Sequence, residues 1–128
     1  MITLHFDGSC LPGVHGKGGY VIKTETETFV GSSPALEGYP TCNAAEYAGL
    51  WAGLEKILER YGPQQVQVFG DSELVIKQMS GKWRVKNREK PYVPYWERAC
   101  SVANRHLSLA YQWIPRELNS EADRASRS

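Results

Sequence analysis

Apolar and polar residues alternate from the start of the chain, with Ile2, Leu4 and Phe6 interleaved with Thr3, His5 and Asp7. A period of two is that of a strand with one buried face. Asp7-Gly8-Ser9 reads as the turn that ends it, and the glycine-rich stretch from Pro12 to Gly19 reads as a loop. Strands near 19–24 and 26–31 would complete an antiparallel meander with the first. A connection containing Pro34, Gly38 and Pro40 follows, up to Thr41.

Beyond Ala44 the period changes. Tyr47, Leu50, Trp51, Leu54, Ile57, Leu58 and Tyr61 recur at helical spacing, Asn43 offers an N-cap, and Gly62-Pro63 stops the helix. Val66-Gln67-Val68-Phe69 predicts a short strand running into Gly70-Asp71-Ser72, with a second helix over 73–79 that stops near Gly81. Pro94 can open a further helix carrying Tyr95, Trp96, Ala99, Val102 and Ala103. Leu107, Leu109, Tyr111 and Trp113 then alternate as a fifth strand, and Asn119 can cap a short last helix. The order, written βββαβαβα, predicts an α/β fold with a five-stranded mixed sheet flanked by helices, its parallel part joined by right-handed crossovers.

The 128 residues suit a single domain, 1–128, and the mixed 23% charge is that of a globular protein. No apolar run approaches the roughly 18 residues that a membrane span needs. The N-terminus lacks the basic and apolar regions of a secretory signal, so folding is expected to begin at residue 1, in the cytoplasm. Cys10, Cys42 and Cys100 are an odd set at wide spacing, which predicts reduced thiols in place of a disulfide framework or a zinc site.

Charge changes the picture only locally. Lys82, Arg84, Lys86, Arg88 and Lys90, with Glu89, give a net +4 in a chain of net +1, leaving −3 for the rest. That polarity points to an anionic partner on one side. The five cations fall at every second position, so an extended backbone would aim them all one way, as a phosphate rail; a solvated basic loop is the alternative. Trp83 either stacks on a sugar or base or packs as partial core.

Glu46 is the residue that the helical pattern does not accommodate. At 100° per residue it lies about 40° from Leu50 and about 20° from Ile57, on the buried stripe. An unpaired buried carboxylate costs several kcal/mol, so a position in the first helical turn calls for the helix N-terminus, a cation or both. Gly49 and Gly53 leave room beside it for another backbone. Asp7 and Asp71 each follow a strand, and carboxylates on adjacent strands about 4 Å apart would repel by roughly 4 kcal/mol at an effective dielectric near 20. Hard divalent cations resolve that conflict, although Asp-Gly-Ser taken alone is an ordinary turn. Asp123, one helical turn past Asn119, taken alone is an ordinary surface acid.

Four blocks, Phe6-Asp7-Gly8-Ser9-Cys10, Thr41-Cys42-Asn43-Ala44-Ala45-Glu46-Tyr47, Gly70-Asp71-Ser72-Glu73-Leu74-Val75 and Arg116-Glu117-Leu118-Asn119-Ser120-Glu121-Ala122-Asp123, occur in the order and spacing of type 1 ribonuclease H, which the chain resembles over nearly its whole length. The resemblance implies the ribonuclease H fold and cleavage of the RNA strand of an RNA–DNA hybrid by a monomer without an obligate protein partner. It assigns Asp7, Glu46, Asp71 and Asp123 as ligands of two Mg²⁺ ions, with Mn²⁺ as a substitute and the Gly8 backbone carbonyl as an added ligand. It also implies RNA-strand contacts at Gly8, Ser9 and Asn43 and a DNA-phosphate contact at Thr41 with Asn87 as its partner; Cys42, Ser72, Trp83 and Lys86 are further nucleic-acid-binding candidates.

The chain departs from the family pattern in places. Many relatives carry a histidine in the loop before the last helix, but Trp113-Ile114-Pro115-Arg116-Glu117-Leu118-Asn119 is shorter and has none, so Arg116 is the candidate for its auxiliary role. His5, His15 and His106 read as structural or surface residues. Cys42 stands where asparagine is common. The basic protrusion is reduced and no separate hybrid-binding domain is expected, which predicts weak substrate binding with a marked salt dependence. Two rivals keep the fold: a metal-dependent exonuclease or resolvase acting on DNA, and a binding module without catalysis.

Overall fold

The computed structural model describes residues 1–38 and 40–128. Among these, strands β1 (Ile2–Leu11), β2 (His15–Lys23) and β3 (Thr28–Ser32) precede helix α1 (Cys42–Tyr61) and strand β4 (Gln65–Gly70). Helices α2 (Glu73–Met79) and α3 (Val93–Ala103), strand β5 (Ser108–Trp113), a 3-10 turn (Arg116–Leu118) and helix α4 (Ser120–Arg127) complete the chain. Two helices therefore separate β4 from β5 where the compressed order βββαβαβα carries one. The sheet order is β3-β2-β1-β4-β5, antiparallel between the first three strands and parallel from β1 through β4 to β5. The expected five-stranded mixed sheet is the one observed.

Alternation along β1 does what the pattern predicts. Leu4 and Phe6 are fully buried, together with Leu50, Leu54 and Ile57 of α1. The turn expected at Asp7-Gly8-Ser9 is absent: β1 runs on to Leu11, paired residue for residue with β2 as far as Leu11↔His15. Gly16, Gly18 and Gly19 of the expected loop are strand residues, and for Gly18 and Gly19 packing explains why. A Cβ on Gly18 would lie 2.0 Å from the Gly49 nitrogen of α1, and one on Gly19 would lie 2.2 Å from the Ser126 nitrogen of α4. Neighbouring strand residues face opposite sides of a sheet. Hence α1 and α4 lie on opposite faces, each pressed against main chain that carries no side chain.

Thr41, and not Asn43, caps α1, its hydroxyl accepting from the Ala44 N–H at 3.2 Å. Gly62, at φ 76°, closes the helix as expected. Asn119 occupies the N-cap position of α4 but makes no capping bond; its amide instead donates to the Phe6 carbonyl at 2.8 Å, tying the start of α4 to β1.

Cysteine chemistry also differs from expectation. Cys10 and Cys42 form a disulfide, with Cα atoms 5.3 Å apart, and Cys100 is free. Sequence spacing did not expose this pairing because the extension of β1 past the expected turn is what carries Cys10 to the start of α1. The cysteine argument for a reducing compartment loses its basis. No helix among the described residues is long and apolar enough to cross a membrane.

Candidate active site

Asp7 and Asp71 are placed by the same rung of the sheet. The parallel register of β1 with β4 closes at Phe6↔Gly70, so the next residue on each strand is an aspartate. Asp71 leaves its strand there, whereas Asp7 stays within β1, which corrects its placement at a strand end. Glu46 reaches them from α1 because Gly8 lets β1 touch the helix: a Cβ on Gly8 would sit 2.4 Å from the Glu46 nitrogen. Gly49, one turn on, is equally constrained, its added Cβ falling 2.5 Å from the Asp7 carbonyl. Gly53 meets the Leu4 and Tyr20 side chains, not a second backbone.

Ligand oxygens of Asp7, Glu46 and Asp71 all lie within 4.8 Å of one another. Asp7 is 3% exposed, and its Oδ1 accepts from the Gly8 N–H at 2.9 Å. Its Oδ2 and the Oε2 of Glu46 are buried and meet no donor. Because α1 starts at Cys42, Glu46 lies past the first turn, so the helix N-terminus that could have compensated its charge is out of reach. Burial raises the Glu46 carboxyl well above the usual range, and the Asp7 charge raises it further. Asp7 is pushed up to about 6 by burial, with the adjoining Glu46 carboxyl and then the Gly8 N–H opposing the shift and Asp71 and Asp123 adding to it. Burial also raises Asp71, against the pull of the Arg116 guanidinium. Three acids that resist ionisation while sharing one centre, two with orphaned oxygens, fit hard divalent cations, which take oxygen donors. Mg²⁺ fits that donor set and thiolates play no part in it.

Asp123 does not join the group at that spacing. It is half-buried in the first turn of α4, and its Oδ1 accepts from Arg127 Nε at 3.2 Å. Asp123 nonetheless lines a cavity of about 720 Å³ with Glu46, Gly8, Ser9, Cys42 and Arg116. The four expected acids therefore divide into a clustered three and a neighbour on the cavity wall. His15, Lys17 and Arg127 line the same cavity and were not singled out as site residues from the sequence. Only the glycine run around Lys17, once recognised as strand, would have placed them there. His106 is structural, its ring held between the Leu54 carbonyl and the Gln64 N–H, and His5 stacks on Phe69.

The remaining nucleic-acid candidates fall elsewhere. Lys82 to Lys90 is not strand: it bends at Lys82 and Trp83, has no regular structure over 84–87 and turns at Arg88 and Glu89. Lys82, Arg84, Lys86 and Lys90 instead curl, with Trp83 and Asn87, around a second cavity of about 540 Å³. Arg88 departs from the set and lies 4.7 Å from the centre of the Trp96 ring. Trp83 is 42% exposed, with Lys77 over its face, and so is not core. Thr41 and Ser72 serve as N-caps of α1 and α2, and Asn43 is exposed beside Cys42. The Ser9 hydroxyl donates to the Ser126 carbonyl, which leaves its backbone as the group open to a ligand.

A mixed sheet in this order, helices on both faces and clustered acids at the β1–β4 rung define the ribonuclease H-like class. A family model described as reverse transcriptase-like matches residues 5–128. The chain belongs to that family and, within it, to the type 1 ribonuclease H proteins. The N-terminal RNase H domain of a Mycobacterium tuberculosis protein, solved fused to maltose-binding protein, is 34% identical with a TM-score of 0.82, covering 97% of this chain and 94% of that one. An RNase H1 from the archaeon Halobacterium salinarum is 28% identical with a TM-score of 0.81, covering 97% and 92%. Among curated proteins, a bifunctional protein of Mycobacterium tuberculosis is 38% identical over 115 residues, 88% of this chain. The chain spans 30% of the length of that relative.

Proposed function

We propose that the chain is an endoribonuclease that hydrolyses the RNA strand of RNA–DNA hybrids, leaving 5′-phosphate and 3′-hydroxyl ends, with two Mg²⁺ ions as cofactors and Mn²⁺ able to replace them. The observation that carries this reading is the pair of buried oxygens without donors, Asp7 Oδ2 and Glu46 Oε2, beside Asp71. Divalent cations held there supply activation of the attacking water and stabilisation of the leaving 3′ oxygen. Asp7, Glu46 and Asp71 are the ligands set in place by main-chain packing; Asp123 completes them from the cavity wall by leaving Arg127. The chain provides no nucleophile of its own, and the Gly8 carbonyl is an added oxygen at the same edge.

An RNase H1 from a compost metagenome, 29% identical with a TM-score of 0.82 over 98% of this chain and 93% of that one, was solved with an RNA/DNA hybrid. That complex supports a hybrid as the substrate here. The RNA strand would lie over Gly8, Ser9, Cys42, Asn43 and Ser72, where contact with the 2′-hydroxyl separates RNA from DNA. The DNA strand would cross Thr41 toward Trp83, Lys86 and Asn87. Arg116, exposed on the cavity wall and acting on Asp71, serves as the auxiliary cation. The protein acts as a monomer.

The test incubates labelled RNA–DNA hybrid, duplex RNA and duplex DNA with Mg²⁺, Mn²⁺ or EDTA. Internal cuts confined to hybrid RNA, lost in EDTA and reduced about 10³-fold or more in Asp71→Asn, roughly 4 kcal/mol of barrier, are expected. Cleavage of duplex DNA as fast as hybrid would favour a DNA nuclease and overturn the proposal.

A further inference from the structure

Asp71 is fixed differently from its two partners. Asp7 and Glu46 sit where β1 and α1 press together through Gly8 and Gly49, but Asp71 stands on a short turn between β4 and α2 and is half-buried. Its neighbours are held on either side: the Gly70 carbonyl accepts from the Ile114 N–H at 2.9 Å, and Ser72 caps α2. The peptide between Asp71 and Ser72 is free of that ladder. Its carbonyl is met by one side chain, Trp113, whose indole Nε1 donates to the Asp71 oxygen at 3.1 Å. Trp113 is the last residue of the edge strand β5, opposite Gly70, and is 50% exposed. It spans the two strand ends by a hydrogen bond to the main chain of an acid in the metal centre.

We infer that Trp113 is a positioning residue for Asp71: its indole N–H holds the Asp71–Ser72 peptide so that the carboxylate stays aimed at Asp7 and Glu46 before a cation arrives. The inference rests on the reading of the three acids as cation ligands. It also gives the shortened segment from Trp113 to Arg116 a role, because both residues act on Asp71, one through its backbone and the other through its charge. Without the indole, the Asp71 carbonyl loses its partner and the site must reorder Asp71 each time it binds a cation, which weakens cation binding, while Ser72 stays fixed as the cap of α2.

Trp113→Phe keeps an aromatic ring and removes the donor. Calorimetric titration of the metal-free protein with Mn²⁺ is expected to show affinity weakened about fivefold, the value of one neutral hydrogen bond. Hybrid binding measured by anisotropy in EDTA should stay within about twofold, since a hydrogen bond to Asp71 touches no substrate in this scheme. In the wild-type protein, the Trp113 indole N–H resonance should shift on addition of Mg²⁺, a readout that does not depend on the variant folding. A folded Trp113→Phe protein with unchanged Mn²⁺ affinity, or an indole resonance that ignores Mg²⁺ while the metal binds, overturns the inference. Failure of the wild-type protein to cut hybrid although it binds Mn²⁺, with Mn²⁺ binding weakened in Trp113→Phe, would overturn the proposed activity and leave the role of Trp113 standing.

Discussion

The acidic centre and the basic loop are built on opposite principles. Asp7, Glu46 and Asp71 are held by strand register and by helix–strand contacts so close that no Cβ fits between them, and the fold forces three charges together at its own expense. Lys82 to Lys90 has no ladder; it is anchored from beneath, where Tyr47 donates to Gln78 at 2.6 Å and Gln78 donates to Tyr92 at 3.1 Å. Its cations are solvated and cost the fold little. A site that must place metals within tenths of an ångström is made of backbone, whereas a surface that must attract phosphates along a groove can be made of mobile side chains.

The comparison breaks most sharply at Asp7. Asp7→Asn should lower hybrid cleavage about 10³-fold or more, as for Asp71, because a ligand is lost. The same change should stabilise the metal-free protein by about 2–3 kcal/mol, an order-of-magnitude figure from moving a buried carboxyl from its ordinary value to about 6. Urea unfolding in EDTA measures it. A variant that is inactive and less stable would mean that the centre is structural.

Reduction of Cys10–Cys42 ranks next. Closing a loop between residues separated by 32 positions is worth about 3–4 kcal/mol in chain entropy, so dithiothreitol should lower the unfolding midpoint and Cys10→Ser should remove that response. An unchanged midpoint would show that the covalent link adds nothing to the packing of β1 on α1.

Metal-free stability should also depend on pH in the direction opposite to that of an ordinary salt-bridged acid. Asp7 and Glu46 bind protons more tightly folded than unfolded, so their contribution is fully present below about pH 4 and is lost as pH rises through about 6 and above. Thermal melts in EDTA should therefore show this component falling over that window, and Mg²⁺ should abolish it. Coincident melts with and without Mg²⁺ at pH 7 would remove the cation from the site.

The smallest effect belongs to the loop. Lys86→Ala should weaken hybrid binding and flatten the salt dependence of log affinity by about one unit, with turnover unchanged at saturating substrate. A fall in turnover instead would join the loop to the chemistry and erase the distinction between the two regions.

Much of the architecture was legible in the chain. The apolar periods placed α1 and all five strands to within a few residues, and Glu46 on a buried stripe pointed to the acidic centre. The failures around β1 and β2 share one cause. Gly16 and Gly18 read as loop because glycine disfavours strands, yet both lie in β2, where Gly18 and Gly19 allow helices to close on both faces. The same misreading ended β1 early, hid Cys10 from Cys42 and left His15 and Lys17 out of the cavity. The alternation of Lys82 to Lys90 suggested a rail, but period two without a partner strand carries no ladder to hold it extended.

By itself, then, the sequence determined which residue types occur, their periods and the identity of the acids, because local periodicity and chemistry are properties of short stretches. Tertiary structure alone decided that Asp7, Glu46 and Asp71 form the tight group while Asp123 stands apart from it, that two cysteines join, and that an indole at the end of β5 reaches the backbone of Asp71. Each of those depends on the distance between segments far apart in the chain. Such distances are set by strand register and by how closely α1 and α4 approach the sheet, which no local pattern encodes.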